Sequence, residues 1–471
     1  MSGTQLCPRS LRHGTTPAAI LLSLVLLACS DKGLETTAED PNPVLLLAID
    51  GLEWEVILPL VQRQELPTLA ALMEQGSFGL LTTSRPTYSP IIWTTVATGK
   101  TAPEHGIRGF VRKPQHEGEE SRLYDSLDRK PKAFWNILSD FDRKVAVVGW
   151  WMTYPVEEVN GVMVAQVNTR RAQRSPGEVL KGSLRPGLDH QVHPPKRYDE
   201  ILDLHAAVSE DLPRLIEEIF GTFSHPLTPL TEKHWNNTQW SFRSDATYAD
   251  IARVLAEERF DLLAVYLGGA DVAGHRFWRH FYPGQFKHPP PAEELADLGH
   301  VISDYYRYLD TVIASLLERL PDNTNTLVVS DHGMHAVNRG SDFSVGRERR
   351  ATNSGHHRSA WPGVFIAAGP DVREQEWPEG LATLDRKQLP TLASIFDVLP
   401  TLLTLQRIPV GDDMRGAVLT DVLVESFTDQ VRAIATHDSE EWLAARSQER
   451  GDLLPADEER LEQLRALGYI D

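Results

Sequence analysis

Cysteine is nearly absent: the 471-residue chain holds two, Cys7 and Cys29. A disulfide framework and a cysteine-built zinc site are both excluded. Basic residues are in deficit, with 47 Lys and Arg against 66 Asp and Glu, a formal charge of −19. A general nucleic-acid binder wants a basic face, so no nucleic-acid polymer is expected as a partner. An anionic substrate held through metal ions stays open. Long apolar runs are missing too. The stretch from Ala18 to Ala28 is too short to cross a bilayer comfortably. What is present, 41% apolar and 24% charged residues, is ordinary for a folded protein with a sizeable core. Disordered, fibrous and polytopic membrane classes are thereby set aside.

Residues 1–28 read as an export signal. Arg9 and Arg12 precede the apolar Ala18–Ala28 stretch, as the charged and apolar parts of a signal peptide do. The end of that stretch, Leu26-Leu27-Ala28-Cys29, resembles a bacterial lipoprotein box, in which Cys29 is lipidated and becomes the first residue. The expectation is a protein of the bacterial cell envelope, held to the membrane by an N-terminal lipid and a polar tether over 29–43. A plain signal peptide or an N-terminal anchor is the alternative.

Five short runs look like strands buried on both faces: Val44–Ile49, Val145–Trp150, Leu262–Leu267, Thr326–Val329 and Val364–Ala367. Near-continuous Val, Leu, Ile and Ala is the mark of central parallel strands. Helical patterns lie between them. Pro67–Gln75 is expected to be capped by Gly76. Glu293–Leu320 spaces its apolar residues by three and four and stops at Pro321. The expected fold class is α/β: a mostly parallel central sheet with helices on both faces. The catalytic body is expected over 44–425, with an irregular cap insertion at about 155–245. A helical tail follows over 426–471, amphipathic at Glu458–Leu467.

Polar residues stand where the apolar runs end. Asp50 ends the first, Asp271 follows the third with His275 four residues on, and Asp331-His332 ends the fourth. Ligands of open α/β sheets bind beyond the carboxyl ends of the strands, so these groups should converge at one edge. One such Asp is by default a helix cap. Three, two of them with His neighbours, fit metal ions better. Asp/His ligation without Cys suits Zn²⁺, and also Mn²⁺ or Fe²⁺. Ser89-Pro90 reads as a helix start, with Ser89 as N-cap and Gly99 closing the helix. A hydroxyl at a helix N-terminus also sits where an anion is favoured.

Taken together these pieces resemble the type I phosphodiesterase/nucleotide pyrophosphatase branch of the alkaline phosphatase superfamily, from about Val44 to Gly416. They are Ala48-Ile49-Asp50-Gly51, Ser89 to Gly99 followed by Pro103-Glu104-His105-Gly106-Ile107, Asp271-x-x-x-His275, Ser330-Asp331-His332-Gly333-Met334, Gly355-x-His357, Gly369-Pro370, Asp397 to Leu403, and Asp413-Met414-Arg415-Gly416. The resemblance implies two divalent metal ions, Zn²⁺ in the first place and Mn²⁺ in the second. Asp50, Asp331 and His332 would hold one ion, with Ser89 facing it as nucleophile. Asp271, His275 and His357 would hold the other, the Gly-x-His spacing choosing His357 over His356. It further implies two in-line displacements through a phospho-serine. Thr94 and Thr95 are expected to pack, and His105 to shape a turn. Where nucleotide-cleaving members carry an Asn three residues after His-Gly-Ile, this chain has Phe110, which weighs against nucleotide diesters.

The expected function is therefore hydrolysis of a small phosphorylated substrate, a phosphodiester or phosphomonoester. Two alternatives stand beside it: a catalytically inactive envelope lipoprotein that binds, and a phosphotransferase on the same scaffold. Arg170, Arg171, Arg174, Trp235 and Trp240 are candidates for shaping the pocket, against a plainer reading as solvated arginines and core tryptophans.

Overall fold

The central strand β1 (Val44–Ile49) is six apolar residues, all buried. A strand of this kind needs cover on both faces, and its alternate side chains enter two different cores. Leu45, Leu47 and Ile49 join one core; Val44, Leu46 and Ala48 join the other. The computed structural model describes residues 40–114, 122–167, 184–337, 353–377, 380–428 and 431–448. Cys29, Arg170, Arg171, Arg174 and the Glu458–Leu467 segment lie outside the described residues.

Eight further strands complete the main sheet: β2 (Gly76–Thr82), β3 (Val145–Val148), β4 (Gly161–Val164), β5 (Val192–His193), β6 (Leu262–Leu267), β7 (Asn325–Val329), β8 (Gly363–Ala368) and β9 (Thr391–Ser394). Their spatial order is β9-β2-β8-β7-β1-β6-β3-β4-β5. β1 runs parallel to β6 and β7, with Val44 opposite Leu262 and Asn325. β8 is antiparallel to both β2 and β7. At the far edge β5 is antiparallel to β4. The sheet is mostly parallel, as expected for the α/β class, and wider than the five apolar runs suggest.

On one face pack α1 (Trp54–Gln62), α2 (Pro67–Glu74), α4 (Gln239–Ala256), α5 (Gly269–Phe281) and α6 (Val301–Leu317). The other face holds α3 (Ser89–Thr98) and α7 (Val398–Leu405). Each fully buried Leu or Val in these cores contributes roughly 1.5–3 kcal/mol. No helix among the described residues is long and apolar enough to cross a membrane.

Three details differ from the sequence reading. Gly76 does not cap α2; Gln75 does, and Gly76 opens β2. A Cβ on Gly76 would sit 1.9 Å from the Ala367 carbonyl oxygen of β8, so close strand contact is why glycine stands there. The long helix expected over Glu293–Leu320 is two, Ala292–Leu298 and α6, divided at Gly299 and His300. The segment at 155–245 carries the edge strands β4 and β5 as well as helices at Tyr198–Phe220 and Pro229–Asn236.

Candidate active site

Asp50 follows β1, Asp271 sits in the first turn of α5 just past β6, and Asp331 and His332 follow β7. Because β6, β1 and β7 are parallel neighbours, their carboxyl ends lie side by side and bring these groups together. Gly51 makes the convergence possible. Its φ is +72°, a conformation side chains rarely adopt, and a Cβ there would lie 2.7 Å from the Asp271 Cα.

Two overlapping clusters result, Asp50–Asp331–His332 and Asp271–His332–His357, with the ligand atoms of each within 4.8 Å of one another and every residue buried. His332 Nε2 lies 3.5 Å from Asp50 Oδ1 and 3.2 Å from Asp331 Oδ2. Asp271 Oδ1 has His275 Nε2 at 3.4 Å and His357 Nε2 at 3.9 Å. The His332 and His357 rings stack at 3.6 Å. His356 turns instead to His335, at 4.0 Å between ring centres.

All three imidazoles are held by Nδ1. His275 Nδ1 donates to the Gly355 carbonyl (2.8 Å), His332 Nδ1 to that of Gly333 (3.3 Å), and His357 Nδ1 to Thr87 Oγ1 (3.0 Å). Thr87 in turn donates to the His357 carbonyl at 3.1 Å. Each ring therefore presents a bare Nε2 to the carboxylates, the arrangement of a metal-binding imidazole. Burial keeps the rings neutral: His275 and His332 are pushed down to about 4, and His357 well below its ordinary value.

The carboxylates are strained in the opposite sense. Burial, then the charge of Asp271, raises Asp50, while burial and the charges of Asp50 and Asp271 raise Asp331 well above the usual range. Asp50 Oδ1, Asp331 Oδ2 and His332 Nε2 are buried and have no hydrogen-bond partner among the described residues. Buried polar atoms are ordinarily satisfied. A divalent cation would satisfy all three and relieve the repulsion, and the Asp/His donor set fits one.

Ser89 is 1% exposed. The N-cap of α3 is Tyr88, so Ser89 is the first helical residue and not the cap. The segment around it is tied to both clusters. Two residues before it Thr87 holds His357, and one turn after it Trp93 Nε1 donates to Asp50 Oδ2 at 3.1 Å. Tyr266 donates to the same oxygen at 2.7 Å. Gly99 ends α3 with φ +67°.

Thr94 donates to the Pro90 carbonyl and Thr95 meets His105 Nε2, so both serve packing. His105 Nδ1 accepts from the Ile107 N–H and the ring is fully buried, which makes it a turn residue. Phe110 is buried between Tyr88 and Trp151. Trp235 packs among Phe220 and Phe223, a core tryptophan.

Sequence reasoning passed over four supports: Thr87, Trp93, Tyr266 and Glu53. Trp93 stands four residues after Ser89 on α3, the one available signal. Glu53 is fully buried. Its Oε2 accepts from the Met334 N–H (2.9 Å) and its Oε1 from the Glu55 N–H and Arg386 Nε (both 3.0 Å). It thus buckles the loop after β1 to the loop after β7.

A mostly parallel sheet carries a buried Asp/His centre beyond its central strands, and that donor set fits a divalent cation. Residues 44–397 match the family model described as type I phosphodiesterase/nucleotide pyrophosphatase. The chain belongs to that family. Among solved structures, alkaline phosphatase PafA is 12% identical over 82% of this chain and 99% of its own, with a TM-score of 0.50. Human ectonucleotide pyrophosphatase/phosphodiesterase 5 is 14% identical over 81% and 99%, with a TM-score of 0.44. Phosphonoacetate hydrolase from Sinorhizobium meliloti 1021, solved with phosphonoacetate, is 18% identical, with a TM-score of 0.39. That match takes in 63% of this chain and 57% of the hydrolase. No curated protein matches by sequence.

Proposed function

We propose that the protein is a metal-dependent hydrolase of phosphoric monoesters or diesters, working in the bacterial envelope through a phospho-serine at Ser89. The observation that carries the metal dependence is the set of three buried, unsatisfied atoms, Asp50 Oδ1, Asp331 Oδ2 and His332 Nε2. Asp50, Asp331 and His332 would hold one ion facing Ser89; Asp271, His275 and His357 would hold the second. Two divalent ions, Zn²⁺ or Mn²⁺, supply charge neutralisation and Lewis acidity, which lets so acidic a protein bind an anionic ester.

The residues have separate tasks. Ser89 Oγ forms a bond to phosphorus as the bond to the leaving oxygen breaks. Water then cleaves the Oγ–P bond, releasing phosphate or its monoester and restoring the hydroxyl. Thr87 and Trp93 keep the nucleophile's segment in register with both ligand sets. Phe110, buried among aromatic rings, offers phosphate no hydrogen-bond donor, which supports substrates other than nucleotide diesters.

The test is a screen of the Zn²⁺- or Mn²⁺-loaded protein against monoesters, diesters, phosphonates and nucleotides, with acid quenching to trap phospho-serine. Active protein that contains no metal sinks the reading. Retained label on Ser89 that moves only to an alcohol acceptor turns it into a phosphotransferase. The envelope location rests on Cys29 and the tether over 29–43. Cys29→Ala should release the protein from membranes, and a soluble protein with Cys29 intact overturns that part alone.

A further inference from the structure

Buried cations need counter-charges. Among the described residues five Lys or Arg side chains are buried: Lys100, Arg112, Arg129, Arg276 and Arg446. Four of them pair with a carboxylate. Lys100 meets Asp413, Arg112 meets Asp128, and Arg129 and Arg446 share Glu157. Arg276, 9% exposed, has no carboxylate partner among the described residues. Its one side-chain hydrogen bond among the described residues is with His234, Nη1 lying 3.4 Å from His234 Nδ1.

Donor bookkeeping sharpens the point. An arginine has only donors, so His234 Nδ1 must accept from it and the ring's proton sits on Nε2. Burial, then the neighbouring cations Arg276 and Lys233, keep that ring neutral. His234 Nε2 and Arg276 Nε are both buried without a hydrogen-bond partner among the described residues. The pair therefore holds a positive charge and two N–H groups, His234 Nε2 and Arg276 Nε, that meet no acceptor among the described residues. The nearby Glu294 is engaged elsewhere, by Thr231 at 3.0 Å and His280 at 3.4 Å.

The pair also stands close to the centre in the chain. Arg276 follows His275 directly on α5, and its carbonyl accepts from Ser354 Oγ at 3.1 Å, just before Gly355 and His357. His234 comes from the Pro229–Asn236 helix within the 155–245 segment.

We infer that Arg276 and His234 form an oxyanion subsite beside the Asp271–His275–His357 group, and that it takes a second phosphate or carboxylate of the substrate. The inference rests on the phosphoester reading of the centre and narrows it to esters carrying a second, non-reacting anionic group. A free phosphate ion is the other source of the same chemistry.

Calorimetry on the Zn²⁺-loaded full chain separates these cases. The probes are methylphosphonate, with one anionic group, and alkane-α,ω-diphosphonates of one to four carbons, with two. At least one diphosphonate should bind tenfold or more tighter than methylphosphonate. Arg276→Gln should erase that advantage while methylphosphonate affinity stays within about twofold. His234→Leu should cost at least about threefold in the same advantage, and serves if Arg276→Gln does not fold. Arg276→Lys should keep part of it. Inorganic phosphate that binds the metal-free chain and is lost in Arg276→Gln would keep the oxyanion site and identify the free ion as its occupant. If no diphosphonate outbinds methylphosphonate and metal-free chain takes no phosphate, the subsite is wrong. An advantage that survives Arg276→Gln also overturns it. Failure of methylphosphonate itself to bind loaded protein would instead count against the phosphoester reading.

Discussion

Glu53 gives the sharpest test of how the loops after β1 and β7 are joined. It is a carboxylate at 0% exposure, facing Arg386 Nε at 3.0 Å. Burial outweighs that cation, and the group is raised from 4.5 to about 7 in the folded protein. The fold thus prefers Glu53 protonated. Stability from this source is fully present below pH 4.5 and is lost as pH rises through about 7. Each tenfold change in proton affinity is worth about 1.4 kcal/mol, so the loss amounts to roughly 3 kcal/mol. Glu53→Gln mimics the protonated acid at every pH. Its stability relative to the native chain should therefore climb by roughly 3 kcal/mol between about pH 4.5 and 8. The assay is denaturant unfolding of both proteins across that range, with a chelator present so that bound ions do not perturb the carboxylates. Asp50 and Asp331 titrate in both proteins and drop out of the difference. A difference that stays flat with pH refutes the reasoning. It would mean that Arg386 compensates the buried charge in full, or that water reaches it.

Ser89→Ala should lower kcat by several orders of magnitude with metals still bound. Because Tyr88 is the N-cap of α3, the stability loss should be smaller than the roughly 0.5–2 kcal/mol that a lost cap costs, about 0.5 or under; near-native kcat would remove the nucleophile. His332 belongs to both clusters and Asp331 to one. Elemental analysis should accordingly find Asp331→Ala depleted in the one ion it would share with Asp50 and His332. His332→Ala should be depleted in that ion and, with the ring stacked on His357 gone, partly in the second; equal losses would contradict the shared position. Gly51→Ala should weaken metal binding about 10–100-fold, as a disturbed supporting shell does, because its Cβ would displace Asp271. Unchanged affinity in a metal titration would show that the loop yields without cost.

What could be read from the chain alone follows the strength of each local signal. β1, β6, β7 and β8 are continuous apolar runs because both faces are covered, and they were legible within a residue. β2 was not. Its Gly76-Ser77-Phe78-Gly79 carries two glycines that read as punctuation, yet they are there because neighbouring backbone leaves no room: Gly79 would set a Cβ 2.6 Å from the Pro390 carbonyl. β4 and β5 are four and two residues long, too short for periodicity to register. Five of the six Asp and His residues of the centre are visible because polar groups end apolar strands; His357 precedes its strand, and only the family resemblance singles it out. Glu53 is not visible, since a Glu just after a strand looks like any helix start. Its importance depends on Met334 and Arg386, contacts 281 and 333 residues away.

The chain enters the sheet at a fixed place. Val44 N–H donates to Asp261, Asn325 N–H to Pro43, and Gln406 Nε2 to Asn42, so Pro41–Val44 is stitched to the amino-terminal edge of the strands. Asp50 stands at the other end of β1, six residues and roughly 20 Å away. A surface that captures the protein by anything ahead of Pro41 pulls on the edge remote from the reactive groups. Immobilised on a bead by its amino end, the enzyme should turn over substrate at the rate it shows in solution, whereas coupling through the loops after β1 or β7 should block it.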